Sequence, residues 1–267
     1  MSASVLEAIM AGSRRSAVER ARTGRAAVER QAAAATPKAA EFAAALEQPG
    51  VRIIAECKRR SPSKGVLKRD YDPARIASGY ARAGAAAISV LTEPSFFDGQ
   101  IEHLRAVRAA VGVPLLRKDF IATEFQLIEA RAAGADAVLL IVAALRAREL
   151  KTLMAGAARY GLASLVEVHT TEEAHLAIDQ GATIIGVNSR NLQTLAVSSL
   201  VFEEIAPALP KGVIRVAESG IATPADVRRV QQLGFHAVLI GERFMVTDDP
   251  GASLQAFAAA VSTAVPS

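Results

Sequence analysis

Five apolar, strand-length segments of this 267-residue chain end in charged or amide side chains. VRIIAECKRRSPSKG carries Glu56 and Lys58, VPLLRKDF carries Lys118, SLVEVH carries Glu167 and His169, IIGVNSRN carries Asn188 and Arg190, and IRVAESG carries Glu218. Side chains alternate faces along a strand. Ile54, Glu56 and Lys58 therefore share one face and Ala55 and Cys57 the other; the same parity joins Leu116 to Lys118, Leu165 to Glu167 and His169, Gly186 to Asn188 and Arg190, and Val216 to Glu218. Charged side chains are rarely buried without partners. Any one of these reads equally well as a salt bridge closing a rim. Equivalent placement on five strands instead describes a converging set of three carboxylates, two lysines, an asparagine and an arginine, able to hold an anion and to give and take protons.

Such convergence requires a repeated scaffold. From about residue 50 a helix-like stretch, a glycine and an apolar run recur, in ARAGAAAISVL, RAAGADAVLLIV, ARYGLASLVEV, DQGATIIGVN and QQLGFHAVLIG. Gly84, Gly134, Gly161, Gly181 and Gly234 stand where a helix ends on a left-handed residue. Helix starts are marked by Asp72-Pro73, Thr123 with Gln126, Thr170 with Glu173, and Thr223-Pro224 with Asp226. Strands are expected near 51–58, 86–91, 113–118, 137–142, 163–168, 184–188, 213–217 and 237–240, at the spacing of βαβ units. Eight units favour a closed (β/α)8 TIM barrel, an α/β fold of about 250 residues, over a doubly wound open sheet, which uses the same alternation. In a barrel the polar strand ends gather at the C-terminal mouth. Residues 1–47 stand outside the repeat and read as two helices, VLEAIMAGSRRSAVERAR and AAEFAAALEQ, parted at Thr36-Pro37. They predict an N-terminal helical extension capping one end of a barrel formed by 48–267.

Composition narrows the function classes. Half the residues are hydrophobic (51%) and only 4% aromatic, which predicts an aliphatic core. The single cysteine, Cys57, excludes an internal disulfide, and the opening residues lack the apolar run of a signal peptide, so a cytoplasmic address is expected. The longest apolar stretches, such as Ala137 to Leu145, fall short of the roughly 20 residues that span a bilayer. The net charge of +4 comes without a basic stripe or interleaved aromatics, which favours a small anionic metabolite over nucleic acid or membrane as partner. His103, His169, His175 and His236 show no metal-ligand spacing, so no metal is expected. No G-x-G-x-x-G or Walker motif is present, so no dinucleotide or other cofactor is expected; Lys118 alone does not decide for or against a Schiff base.

The last two strands suggest a phosphate site. Their ends read AESGIATPADV and VLIGERF, and in TIM barrels the loops there often bind phosphate through backbone N–H groups. Gly220 and Gly241 would let the backbone approach an anion, although each alone is equally a turn residue.

These segments together resemble the indole-3-glycerol-phosphate synthase family. FAAALEQPGVRIIAECKRRSPSKG resembles its stretch around strand 1, and LTEPSFFDG, LLRKDFI, LVEVH, GVNSRNL, AESGI and IGERFM are similar to its segments at strands 2, 3, 5, 6, 7 and 8. IAECKRRSPSKG with LLRKDFI is the specific part, since the strand 7 and 8 pieces are shared more widely among phosphate-binding barrels. The resemblance implies decarboxylative ring closure of 1-(o-carboxyphenylamino)-1-deoxyribulose 5-phosphate to indole-3-glycerol phosphate, carbon dioxide and water, without metal or organic cofactor. It implies Lys118 as the acid that protonates the carbonyl, Glu167 as the base of the later dehydration, and Lys58 as carboxylate binder and second acid. Glu56, Asn188 and Glu218 would orient these groups. Ser61 and Arg190 would hold the carboxylate, Phe97 would flank the aromatic ring, and Arg60 with the backbone of Ser219, Gly220, Gly241 and Glu242 would cradle the phosphate. Glu242 stands where some relatives carry a small hydroxyl residue, so its side chain should point away from the anion. The chemistry also asks for a Lys118 lowered toward neutrality by desolvation beside other cations, and for a carboxylate that stays ionised. Two alternatives remain. Another phosphate-binding barrel, such as a phosphoribosylanthranilate isomerase or a sugar-phosphate epimerase, would share strands 7 and 8 but not the Glu56, Lys58, Lys118, Glu167 set; in a non-catalytic basic binding protein the inward polar residues would be structural.

Overall fold

In the computed structural model, which describes residues 5–192 and 194–262, eight parallel strands close on themselves in chain order. They are β1 (Arg52–Cys57), β2 (Ala87–Leu91), β3 (Leu115–Lys118), β4 (Ala137–Ile141), β5 (Ala163–Val168), β6 (Ile184–Asn188), β7 (Ile214–Glu218) and β8 (Ala237–Ile240), with β8 pairing back onto β1 through Arg52 to Ala237 and Ala55 to Ile240. Closure decides for the barrel over the open sheet, and each strand lies within two residues of its predicted span. The TIM barrel leaves no sheet edge to protect.

Each strand is followed by a helix, and several helix ends are those the sequence marks. Asp72 accepts from Arg75 N at the start of α3 (Pro73–Arg82), and Thr170 accepts from Glu173 N at the start of α7 (Thr171–Asp179), after α4 (Ile101–Ala110), α5 (Glu124–Ala132) and α6 (Ala147–Arg159). Then come α8 (Leu200–Ile205), α9 (Pro224–Gln232) with its Thr223 and Asp226 capping box, the one-turn α10 (Glu242–Met245) and α11 (Pro250–Ser262). The five glycines between helix and strand all take positive φ, from 72° at Gly161 to 88° at Gly134. A Cβ there would cost roughly 1–2 kcal/mol.

The core has two aliphatic layers. Inside the barrel, Ile54, Leu116, Leu165 and Val216 are fully buried two residues below the polar strand ends of the same parity. Outside it, the opposite parity packs against the helices. Cys57 belongs to that outer layer: it is fully buried, with Sγ 4.0 Å from the Pro73 carbonyl at the start of α3, and burial pushes its thiol well above the usual range. Cys57→Ala should therefore keep near-native turnover and lose roughly 1–2 kcal/mol of stability, as for a small buried hydrophobe. A folded variant without activity would refute this register.

The N-terminal segment departs from its prediction. α1 runs from Val5 to Ala34, twelve residues past the expected end at Arg22. Thr23 and Gly24 do not stop it, because the following stretch is rich in alanine, Arg25 pairs with Glu29 at i,i+4, and the helix packs along α5. Arg20 grips Glu129 of α5 with two bonds of 2.6 and 2.9 Å, and Ser13 Oγ donates to the Phe120 carbonyl just beyond β3. α2 (Ala39–Leu46) instead lies at the opposite end of the strands, where Lys38 N donates to Asp136 and Phe42 and Leu46 are fully buried. Among the described residues no helix is long and apolar enough to cross a membrane.

Candidate active site

At the C-terminal mouth the strand ends enclose a cavity of about 880 Å³. Lys118, the last residue of β3, reaches across the barrel: its Nζ donates to Glu167 Oε2 of β5 at 3.2 Å and lies 3.5 Å from Glu218 Oε2 of β7. Just past β1, Lys58 Nζ sits 2.8 Å from Glu56 Oε1, while Glu56 Oε2 accepts from Ser89 Oγ of β2 at 3.3 Å. Asn188 closes β6 with its Oδ1 accepting from Arg190 N at 3.0 Å. The inward parity read from the sequence thus brings Glu56, Lys58, Lys118, Glu167, Asn188, Arg190 and Glu218 into one lining.

The strand ends are rigidly held. Between Lys118 and the helix layer lies Arg117, which points outward yet is buried; it donates to Thr92 Oγ1, Asp119 Oδ2 and the Gln126 carbonyl and faces Glu129 at 3.6 Å. Sequence reading passed over this network, although a charge on the helix-facing parity of LLRKDF signals it. Gly186 of β6 lets the Glu218 carboxylate cross beside it. A Cβ there would stand 2.0 Å from Glu218 Oε1 and 3.3 Å from Leu165 Cδ1. Gly186→Ala should push Glu218 off Lys118, lowering kcat by about tenfold or more and stability by roughly 1–3 kcal/mol; thermal melts with steady-state kinetics would show both losses.

The charges set one another's protonation. Burial alone would lower Lys118, but Glu167, Glu218 and Glu56 outweigh it and hold the ammonium well above a lysine's ordinary range. This corrects the expectation of a lysine lowered beside cations, because its near neighbours are carboxylates. Burial would raise Glu167, yet Lys118 and then His169 hold it far below the usual carboxylate range. Glu218 goes the other way: burial, then Glu167 and Glu56, push it up to about 8 against the pull of Lys118. The cluster therefore drives its carboxyls apart, Glu167 toward the ionised form and Glu218 toward the protonated one, beside a charged Lys118, an arrangement in which acid and base forms stand side by side.

Around this centre, Phe97 comes from a one-turn helix (Pro94–Phe97) capped by Glu93 and forms an apolar wall with Phe120, centroids 6.4 Å apart. On the far side, Ser219 and Gly220 take consecutive left-handed conformations, φ 63° and 69°. For serine that costs energy, and such strain concentrates at functional loops. Gly241 and Glu242 complete this rim at the start of α10.

Arg60 and Ser61 lie outside the lining, as does His169, which shares the parity of Glu167 but lines a neighbouring cavity. Residues Arg60–Ser61 and Gly65–Val66 pair as a short antiparallel ribbon. This turns the Arg60 guanidinium to Asp98, 3.8 Å away, and engages Ser61 Oγ with Lys64 N. Ser63 and Lys64 from the tip of the ribbon line the cavity instead. Glu242 is a second departure: its carboxylate does not turn away but lies 4.0 Å from both Arg190 Nη2 and Lys64 Nζ, drawn by the two cations of the mouth. Among the described residues no group of three or more His, Cys, Asp or Glu side chains could hold a metal ion.

Barrel and site together define a TIM-barrel enzyme whose mouth combines acid, base and anion-holding groups. The indole-3-glycerol phosphate synthase family model matches residues 6–257. The chain is 50% identical to the indole-3-glycerol phosphate synthase of Rhodococcus opacus (strain B4), covering 92% of this chain and 91% of that one, and 47% identical to that of Streptomyces griseus, covering 96% of each. It belongs to the indole-3-glycerol phosphate synthase family, decarboxylating lyases that close the indole ring of a phosphorylated substrate in tryptophan synthesis. Among solved structures it resembles a thiamine phosphate pyrophosphorylase from Pyrococcus furiosus (TM-score 0.61, 19% identity, 81% of this chain and 98% of that one) and a mandelate oxidase variant (TM-score 0.63, 18% identity, 89% and 93%), a likeness of fold alone.

Proposed function

We propose a division of labour for the ring closure among these residues. The substrate's phosphate lies on the backbone N–H groups of Ser219, Gly220, Gly241 and Glu242, with Lys64 of the ribbon in place of Arg60 as the nearby cation. Its carboxylate faces Lys58 and Arg190, and its aromatic ring lies along Phe97. Lys118 protonates the ketone oxygen as the aromatic carbon attacks, carbon dioxide leaves, and Glu167 removes a proton as Lys58 helps the hydroxyl depart. Glu56, Asn188 and Glu218 hold these groups in place.

The observation that carries this reading is the Lys118 ammonium held between Glu167 and Glu218 in the same cavity as the Glu56 and Lys58 pair. A lysine held charged by carboxylates still serves as the acid, since the alkoxide forming on attack is far more basic than an amine and takes the proton downhill. The carboxylates keep the ammonium loaded between turnovers. Mixing the protein with 1-(o-carboxyphenylamino)-1-deoxyribulose 5-phosphate should produce indole absorbance and fluorescence, which the absence of tryptophan leaves unobscured. Substrate loss without an indole signal would overturn the assignment.

A further inference from the structure

One ionisable side chain beside the site has no part in that scheme. His169 follows β5 and lies between two carboxylates: its Nε2 is 3.4 Å from Glu167 Oε1, and its Nδ1 is 3.3 Å from Glu173 Oε2 on α7. Glu173 also accepts from His169 N at 2.7 Å, which fixes the backbone on which the imidazole turns. Nε2 is buried and makes no hydrogen bond in this conformation, so a small rotation toward Glu167 satisfies it. On its other side the imidazole lines a second cavity of about 930 Å³, bounded by α1, the loop after β4 and the start of α6 and α7. Glu167 is 1% exposed and His169 12%, so the imidazole stands between a base closed off from water and a cavity that is open to it.

The proton balance of the ring closure gives this chain a task. The substrate carboxylate is ionised and leaves as carbon dioxide without a proton. The carbonyl oxygen takes one proton to become a hydroxyl and a second to leave as water, while the base recovers only one. Each turnover therefore draws one proton from solvent. We propose that His169 is a proton relay joining Glu167 to the second cavity, through which the missing proton reaches the Glu167 and Lys118 pair. After Lys118 has protonated the ketone oxygen, the imidazolium Nε2 proton passes to Glu167 and on to Lys118 Nζ over the 3.2 Å contact, so that Lys118 can also protonate the departing hydroxyl. Glu167, ionised again, removes the proton lost in dehydration and returns it to Lys118, and His169 is recharged at Nδ1 from the Glu173 side. The other charged groups bounding the cavity are Glu7 and Arg14 of α1 and Arg146 and Glu149 at the head of α6. Burial works against the imidazolium, but Glu167 and Glu173 raise His169 to about 10, so the relay is loaded at neutral pH.

The relay rests on the assignment of Glu167 as base and is tested beside it. At saturating substrate, His169→Gln should lower kcat about tenfold, less than loss of the base itself because water leaks protons slowly, with KM within twofold of the parent. Added imidazole should restore at least half of the loss, and the solvent deuterium isotope effect on kcat should rise. Glu173→Gln, which keeps the imidazole, should move both in the same direction by less and carries the test if His169→Gln does not fold. Parent-like kcat in both variants, or a lowered kcat that imidazole and deuterium leave unmoved, overturns the relay. Glu167→Gln separates the two ideas: if it is inactive while His169→Gln is parent-like, the relay alone falls, and if Glu167→Gln retains turnover, the base assignment falls and the relay with it.

Discussion

Lys118→Ala should lower kcat by ~10²–10⁴-fold, the loss that accompanies removal of a general acid, while the dissociation constant of the product changes by less than about tenfold. Lys118 lies against Glu167 and Glu218 at the end of β3, across the closed barrel from β7, whose loop belongs to the proposed phosphate rim. Its interaction strengthens as charge develops on the attacked oxygen, so it belongs to the transition state more than to the ground state. Arg190→Ala should show the opposite pattern. That guanidinium stands near Glu242, Ser63 and the Leu195 carbonyl, where the proposal places the substrate's carboxylate, and its removal should weaken binding before it slows the chemistry. Measuring kcat and product affinity on both folded variants checks the pair. A Lys118→Ala protein that binds poorly but turns over normally would move the acid role to Lys58.

Glu167→Gln should be as severe, with indole formation falling by ~10²–10⁴-fold. The amide keeps the shape of the side chain but not its basicity, and it stays within reach of Lys118 Nζ, 3.2 Å away. Lys118 remains charged in this variant, because Glu56 still faces it and Glu218, relieved of the Glu167 charge that pushed it up, moves toward the ionised form. The first proton transfer should therefore survive and the last should fail. The low position of Glu167 makes the loss flat across the neutral range: the carboxylate is already fully ionised there, so raising the pH cannot compensate for its absence. A variant that recovered at high pH would show that another group is the base.

How much of this was legible in the sequence follows from what alternation and capping encode. Parity alone placed Glu56, Lys58, Lys118, Glu167, Asn188 and Glu218 in one lining, because a closed barrel forces inward residues of neighbouring strands onto a common axis. The glycines before β2, β4, β5, β6 and β8 were legible for an equally local reason, the positive φ of a helix end. Distances between strands were not. The residue types at the mouth are compatible with lysine beside lysine or lysine beside glutamate, and only register shows Lys118 facing Glu167 and Glu218 while Lys58 pairs with Glu56. That difference reverses the direction in which Lys118 is shifted. The ribbon after β1 escaped for a related reason: past the strand, side-chain direction depends on the turn from Ser61 to Gly65, so Arg60 turned outward to Asp98 and Lys64 inward. α1 was read too short because its continuation is stabilised by the flank of α5, a tertiary contact that no local pattern records.

The measurement that bears most directly on the central claim, a charged Lys118 acting first and an ionised Glu167 acting last, is a single-turnover experiment. Excess Glu167→Gln enzyme is mixed with 1-(o-carboxyphenylamino)-1-deoxyribulose 5-phosphate, and released carbon dioxide and indole absorbance are followed together. The Lys118 ammonium and its other carboxylate partners are intact in this variant, so the account predicts a stoichiometric release of carbon dioxide at near-parent rate with indole lagging by ~10²-fold or more, and neither signal from Lys118→Ala. Carbon dioxide and indole falling in parallel in Glu167→Gln would contradict it.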